Sequence, residues 1–160
     1  MIFVTIGSVF PFDRLIRAAD EWAATRQDRE ILAQIGEGSY EPRHMRWVRR
    51  LDQDAFLATA ERARLIVAHA GMGSVITASR MGKPIVILPR LRERGEHNTD
   101  HQVDTANWLK SRPGIHVAAD ETALAGTIET ALAEPAGEIE TLPPHAPEAF
   151  IARIRAAILA

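Results

Sequence analysis

The sequence predicts an α/β domain built on a doubly wound parallel sheet, and three observations carry the prediction. Short apolar runs rich in β-branched residues recur at 2–6, 31–35, 65–69, 85–88 and 115–117. The segments between them have helical periodicity, so strands alternate with helices. Hydrophobicity is continuous rather than alternating at 65–68 and 85–88, which means that both faces of those strands are covered. A chain of 160 residues has the size of one compact domain and buries roughly two-thirds of its unfolded surface. Together these features describe a Rossmann-like sheet sandwiched between helices.

In chain order, the first crossover helix spans 12–25 and places Leu15, Ile16, Ala19 and Trp22 on one side. Residues 44–51 read as an edge strand, with Met45, Trp47 and Val48 facing the sheet and the nearby arginines suited to a surface edge. Further helices are expected at 53–63, 75–81, 100–110 and 121–132. The α/β domain thus occupies residues 1–133. From 134 to 147 the composition turns to Pro, Gly and Glu, and Pro143, Pro144 and Pro147 bar a helix or central strand, which marks a linker. Residues 148–160 resume a helix whose Phe150, Ile151, Ile154 and Ile158 form one apolar stripe. That stripe either folds back on its own domain or docks on a second polypeptide.

Composition narrows the function. The formal net charge is −2 and both signs are interspersed, so no nucleic-acid partner is expected. The absence of cysteine removes disulfides, thiolate catalysis and zinc-thiolate sites and suggests a reducing, cytoplasmic compartment. No export signal or 18-residue apolar run occurs, so any membrane association is expected to be peripheral or through a partner.

In an open parallel sheet, ligands bind at the carboxyl ends of the strands. Three segments there carry unusual chemistry: Gly7-Ser8, the run HAGMGS at 69–74, and GEHNTDHQ at 95–102. Gly71 and Gly73 lack β-carbons and let backbone amides approach an anion, with Met72 between them. Ser74 is expected to open the following helix with its hydroxyl toward a phosphate, or to serve simply as its N-cap. A diphosphate is the natural guest of such a turn, and because the spacing fits neither a dinucleotide fingerprint nor the phosphate loop of kinases, a dehydrogenase or a kinase is not favoured.

At the third segment, Thr99 and Gln102 have the spacing of a capping box. That does not account for Glu96, His97, Asp100, His101 and Gln102 crowding one helix entrance, where a ligand with hydroxyl groups fits better. His97 and His101 invite a metal reading, but a helix starting after His97 separates their geometry, and no metal or other cofactor is expected. His69 is either a satisfied, partly buried histidine or a group orienting the diphosphate loop. Arg90, Arg92 and Arg94 alternate along a loop and form either a solvated face or forks for a carboxylate on the ligand.

Taken together, TIGSVF at 5–10, HAGMGSVITASRMGKPIVILPR at 69–90 and GEHNTDHQ at 95–102 resemble the C-terminal domain of family-28 glycosyltransferases. Residues 1–133 are similar in particular to PssE-like catalytic subunits of exopolysaccharide synthesis, through MGS, GKP, LPR and GEH..DHQ. The resemblance implies the C-terminal half of a GT-B enzyme that binds a UDP-sugar and transfers the sugar with inversion to a lipid-linked acceptor, without an essential metal. By the same resemblance, Gly7, Ser8, Gly71, Gly73 and Ser74 face the diphosphate, and His101 and Gln102 face the donor sugar and ribose. Where many relatives carry a ribose-binding glutamate three residues after the serine, this chain has Thr77, and Glu96 is a candidate substitute.

The resemblance further implies β-1,4-glucuronosyl transfer from UDP-glucuronate to a sugar on a polyprenyl diphosphate. UDP-N-acetylglucosamine is the rival donor. A non-catalytic nucleotide-sugar-binding regulator and a GT-B-like epimerase half are the alternatives from other classes. Inverting transfer needs a base for the acceptor hydroxyl, and His69 and Glu96 are the in-chain candidates. In the look-alike families the acceptor side is a separate module, so a membrane-anchored, PssD-like acceptor-binding subunit is expected, holding this chain at the inner membrane.

Overall fold

The computed structural model describes residues 1–26, 28–134 and 146–159. Six strands, β1 (Ile2–Thr5), β2 (Ile31–Gln34), β3 (Arg46–Val48), β4 (Leu65–His69), β5 (Ile85–Leu88) and β6 (Ile115–Val117), form one sheet in the order β3-β2-β1-β4-β5-β6. Every pairing is parallel. The direction of strand addition reverses between β1 and β4, which opens a crevice at their carboxyl ends.

Alternation along the strands divides the core between the two faces. Val4, Val67, Val86 and Leu88 point into a cluster with Leu15, Ile16, Ala19 and Trp22 of α1 (Asp13–Ala24) and with Leu124 and Ile128 of α5 (Leu124–Ala133). Phe3, Ile66, Ala68, Ile85 and Ile87 point the other way. They meet Ala60 of α2 (Gln53–Arg62), Val75 and Ala78 of α3 (Met72–Arg80), and Ala106 and Leu109 of α4 (His101–Leu109). Both faces of the sheet are therefore covered, as the continuous apolar runs require.

Element boundaries shift where side chains intervene. The expected strand at 44–51 contracts to β3 because the buried Asp20 carboxylate accepts the amides of Arg43 (2.9 Å) and His44 (2.7 Å) and holds that approach off the sheet. Asp52 then caps α2 by accepting the Ala55 amide at 2.8 Å. α5 begins at Leu124 rather than 121, since Asp120 takes the amides of Thr122 and Ala123 and makes residues 121–123 a turn. α3 begins at Met72, three residues earlier than periodicity predicts, with Gly71 as its N-cap.

Of the expected linker at 134–147, residues 135–145 lie outside the described residues. The C-terminal helix α6 spans Glu148–Leu159, and none of its residues is buried; Phe150 is 53% exposed. Among the described residues, no helix is long and apolar enough to cross a membrane.

Candidate functional site

A cavity of about 530 Å³ lies at the carboxyl ends of the strands, where β1 and β4 meet. Segments following β1, β3, β4 and β5, together with Gln34 at the end of β2, contribute to its wall.

The loop after β1 is fixed from below. Thr5 Oγ1 donates to Gln34 Oε1 at 2.6 Å, Gln34 Nε2 donates to the Gly7 carbonyl at 3.0 Å, and the Gly7 amide donates to Thr5 Oγ1 at 3.2 Å. Gly7 has φ +76°, a conformation that an L side chain adopts only with strain. A Cβ there would also stand 2.6 Å from Cε1 of His69. A Cβ on Gly71 would strike the same imidazole at Nε2. Both glycine turns therefore pack against the Cε1–Nε2 edge of the His69 ring, and their missing Cβ atoms are what admit it.

Burial, followed by the charges of Arg90 and His97, pushes His69 down to about 4, so the ring is neutral at pH 7. Its Nδ1 is buried without a hydrogen-bond partner. An imidazole this weakly basic is a poor general base and a good neutral spacer.

The first turn of α3 adds a helix N-terminus to the wall, through Gly73 and Ser74. Ser74 is buried inside this turn rather than capping it, because the cap falls on Gly71. Nothing lies within 4 Å of a Cβ built on Gly73, so its face is open toward the cavity mouth. Thr77, one turn on, also lines the cavity, with its hydroxyl donating to the Gly73 carbonyl at 2.8 Å.

The loop after β5 differs most from expectation. Arg90 is buried; its Nη2 donates to the carbonyls of Ile6 (2.8 Å) and Phe10 (2.6 Å), and its guanidinium lies 5.0 Å from the Phe12 ring centroid. Burial pushes Arg90 down to about 10, still charged at pH 7. Arg92 and Arg94 form a 3-10 turn outside the cavity, and Arg94 pairs with Glu121 at 2.6 Å. The expected row of three guanidinium forks is thus reduced to one arginine, whose Nη2 already holds backbone.

The capping box does not form. Thr99 Oγ1 meets His101 Nδ1 at 2.6 Å, and Gln102 turns inward, accepting the Arg90 amide at 3.2 Å. His97 packs edge-on against Phe10 (5.0 Å) and His101 (4.5 Å), and burial together with His101 and Arg90 lowers its affinity for a proton.

The structure brings Gly7, Ser8, His69, Gly71, Gly73, Ser74, Thr77, Arg90, His97, His101 and Gln102 to this one cavity. Met72, 37% exposed, and Glu96 do not line it. The Glu96 carboxylate is held by Arg14, with Oε1 to Nε at 2.7 Å and Oε2 to Nη2 at 2.8 Å, so it is placed neither as a base nor as a ribose ligand. Sequence reasoning missed six further lining residues, Phe10, Gln34, Leu51, Asp52, Gln53 and Phe56. The signal was available, because Gln34 ends β2 and Leu51 follows β3, and the carboxyl-end rule applies to them as well.

Chemically, the cavity combines a helix N-terminus and a buried guanidinium with the apolar Leu51 and Phe56. Asp52 is the one carboxylate on its wall among the described residues, and its side chain is engaged in capping α2. Such a site suits a ligand with an anionic and a planar apolar part.

The model of the glycosyltransferase family 28 C-terminal domain matches residues 1–152. The chain is 26% identical over 137 residues to a UDP-N-acetylglucosamine transferase subunit, ALG13, of Yarrowia lipolytica, covering 75% of this chain and 65% of that protein. Among solved structures, a glycosyltransferase of kitacinnamycin superposes with a TM-score of 0.61 at 19% identity, over 84% of this chain and 35% of that one. The UDP-GlcNAc 2-epimerase of Methanocaldococcus jannaschii, solved with UDP-GlcNAc and UDP, superposes with a TM-score of 0.61 at 12% identity, over 98% and 45%. The chain spans just under two-thirds of its curated relative and less than half of either solved chain. The structural likenesses establish the fold, that of the C-terminal half of a GT-B enzyme. The match over nearly the whole chain shows that it belongs to the glycosyltransferase family 28 C-terminal domains.

Proposed function

We propose that this chain is the donor-binding, catalytic subunit of an inverting UDP-sugar glycosyltransferase that acts on a lipid-linked acceptor. The observation that carries this reading is the pair of glycine turns at Gly7 and Gly71, closed on the neutral His69 ring beside the α3 N-terminus. Backbone amides at such turns, with the Arg90 charge behind them, oppose the negative charge that grows on a departing diphosphate. The Leu51 and Phe56 wall suits the base of the nucleotide.

The acceptor base comes from outside this cavity. With His69 held near 4 and Glu96 locked to Arg14, the reading assigns proton abstraction to a second, membrane-anchored, PssD-like subunit that binds the polyprenyl-diphosphate-linked sugar. That subunit would also hold this chain at the cytoplasmic face of the inner membrane. An epimerase would need acid and base groups poised over a sugar carbon, and the engaged Asp52 does not favour it.

For the donor, UDP-glucuronate transfer in exopolysaccharide synthesis rests on the PssE-like resemblance, and free arginine forks would have been consistent with it. Arg90 tied to two carbonyls and Arg94 tied to Glu121 favour an uncharged sugar, and UDP-N-acetylglucosamine, suggested also by the ALG13 likeness, is the preferred donor. The test measures sugar transfer from both UDP-sugars, with and without the partner, alongside calorimetric titration with UDP. Transfer from UDP-N-acetylglucosamine only in the partner's presence is expected. Tight UDP binding with no transfer under any pairing would indicate a regulatory subunit instead, and failure to bind UDP would end the donor-site reading.

A further inference from the structure

The loops that make the donor site come from strands that are not neighbours. The turn at Gly7 follows β1, the segment from Pro89 to Gln102 follows β5, and β4 lies between them in the sheet. No ladder hydrogen bond therefore sets one loop against the other. Two arginines do so, in opposite directions.

Arg90, at the end of β5, reaches back to the carbonyls of Ile6 and Phe10 in the first loop. Arg14, in the first turn of α1 and so directly beyond that loop, reaches forward. Its Nη2 donates to the Pro89 carbonyl at 2.8 Å, and its Nε and Nη2 clasp Glu96. Glu96 Oε2 in turn accepts the Leu91 amide at 2.9 Å. Both side chains are sheltered, 9% exposed for Arg14 and 11% for Glu96, and Glu121 meets Arg14 Nη1 from outside at 3.1 Å. Glu96 immediately precedes His97, which packs on Phe10 across the gap.

We propose that Arg14 and Glu96 are a positioning pair for the donor site, locking the loop after β5 against the loop after β1 so that His97, His101 and Gln102 face the glycine turns. The assignment rests on the donor-site reading above. A planar, two-point fork is required, because one contact would leave the loop free to pivot. Neither residue touches the cavity, so their effect reaches the ligand only through the loop they hold.

The experiment measures the UDP dissociation constant by calorimetry and the thermal midpoint for wild type, Arg14→Lys, Glu96→Gln and the double variant. Glu129→Gln serves as control, since Glu129 anchors the same α1 helix through Trp22 and Arg26, far along the chain from the donor loops. Both single variants are expected to weaken UDP binding roughly ten-fold, with the double variant little worse than either. Glu129→Gln is expected to lower the midpoint with UDP affinity unchanged. UDP affinity within about two-fold of wild type in the folded single variants would overturn the pair's role, as would an equal loss in Glu129→Gln. Should Glu96→Gln not fold, Arg14→Lys, which keeps the charge and one contact, decides the matter. A wild-type chain that binds no UDP would instead overturn the donor-site reading, and this assignment with it.

Discussion

The packing of His69 against two glycines yields a quantitative prediction through Gly71→Ala. Gly71 has φ −92°, so alanine meets no backbone penalty there. Its Cβ would, however, collide with His69 Nε2 and stand 2.8 Å from Cδ2 and 3.0 Å from Cε1. Ordinary carbon contacts lie at about 3.5–4.0 Å, so the ring must retreat by roughly 0.5–1 Å. The ring also lies close against Gly7, where a built Cβ would stand 2.6 Å from Cε1, so it has little room to move there. Overpacking of this kind costs about 1–3 kcal/mol, and replacing the glycine N-cap of α3 adds up to about 1 kcal/mol. At about 2–4 °C per kcal/mol for a domain of this size, a total of about 1–4 kcal/mol should lower the midpoint by roughly 2–16 °C. The assay is thermal and urea unfolding of Gly71→Ala in wild-type and His69→Ala backgrounds. With the ring removed, only the cap penalty of under about 1 kcal/mol should remain, giving a coupling of about 1–3 kcal/mol. An equal cost in both backgrounds would refute the packing argument.

Further outcomes follow from the same geometry. Gly7→Ala in the His69→Ala background should still cost about 1–2 kcal/mol, because its positive φ strains any L side chain whether or not the ring is present; unfolding curves measure this directly. His69 has its folded-state affinity for protons lowered from 6.5 to about 4, so its contribution to stability is complete above pH 6.5. As pH falls toward 4 the unfolded chain takes up a proton that the folded site refuses, and about 3 kcal/mol is lost in all. Replacing it by His69→Gln should flatten that part of the stability profile, and an unchanged slope would contradict the burial of the ring. Thr77→Glu, which introduces a carboxylate on the cavity wall, should tighten UDP binding about ten-fold through a charge-assisted bond to the ribose, as calorimetry would register. Gln102→Ala leaves the buried Arg90 amide without its acceptor and should cost about 1–3 kcal/mol in stability while weakening UDP binding; loss of neither would remove Gln102 from the site.

Much of the architecture was legible because it is written in local signals. The runs at 65–69 and 85–88 match β4 and β5 residue for residue, since a strand buried on both faces admits few polar residues and its ends are marked by the turns that follow. The glycine turns were legible for a similar reason: Gly71 and Gly73 stand two and four residues beyond the end of a strand, and parallel sheets present that end to ligands. Helix starts were less so. Asp120 and Gly71 each moved one by three residues, through hydrogen bonds and backbone angles that periodicity does not encode.

By itself, then, the sequence determined the alternation of strands and helices, the covered faces of the sheet, and most of the residues gathered at its carboxyl edge, because each depends on neighbours a few positions apart. Only the tertiary structure decided what those residues do. Glu96 and Arg14 lie 82 positions apart, and nothing local distinguishes a carboxylate facing a ligand from one clasped by a guanidinium. Arg90 looks like a free fork until Ile6 and Phe10 come within reach of it, 84 and 80 positions away. Charge and hydrogen-bonding groups are assigned to a ligand or to the protein itself by long-range proximity, and that is a property of the folded chain alone.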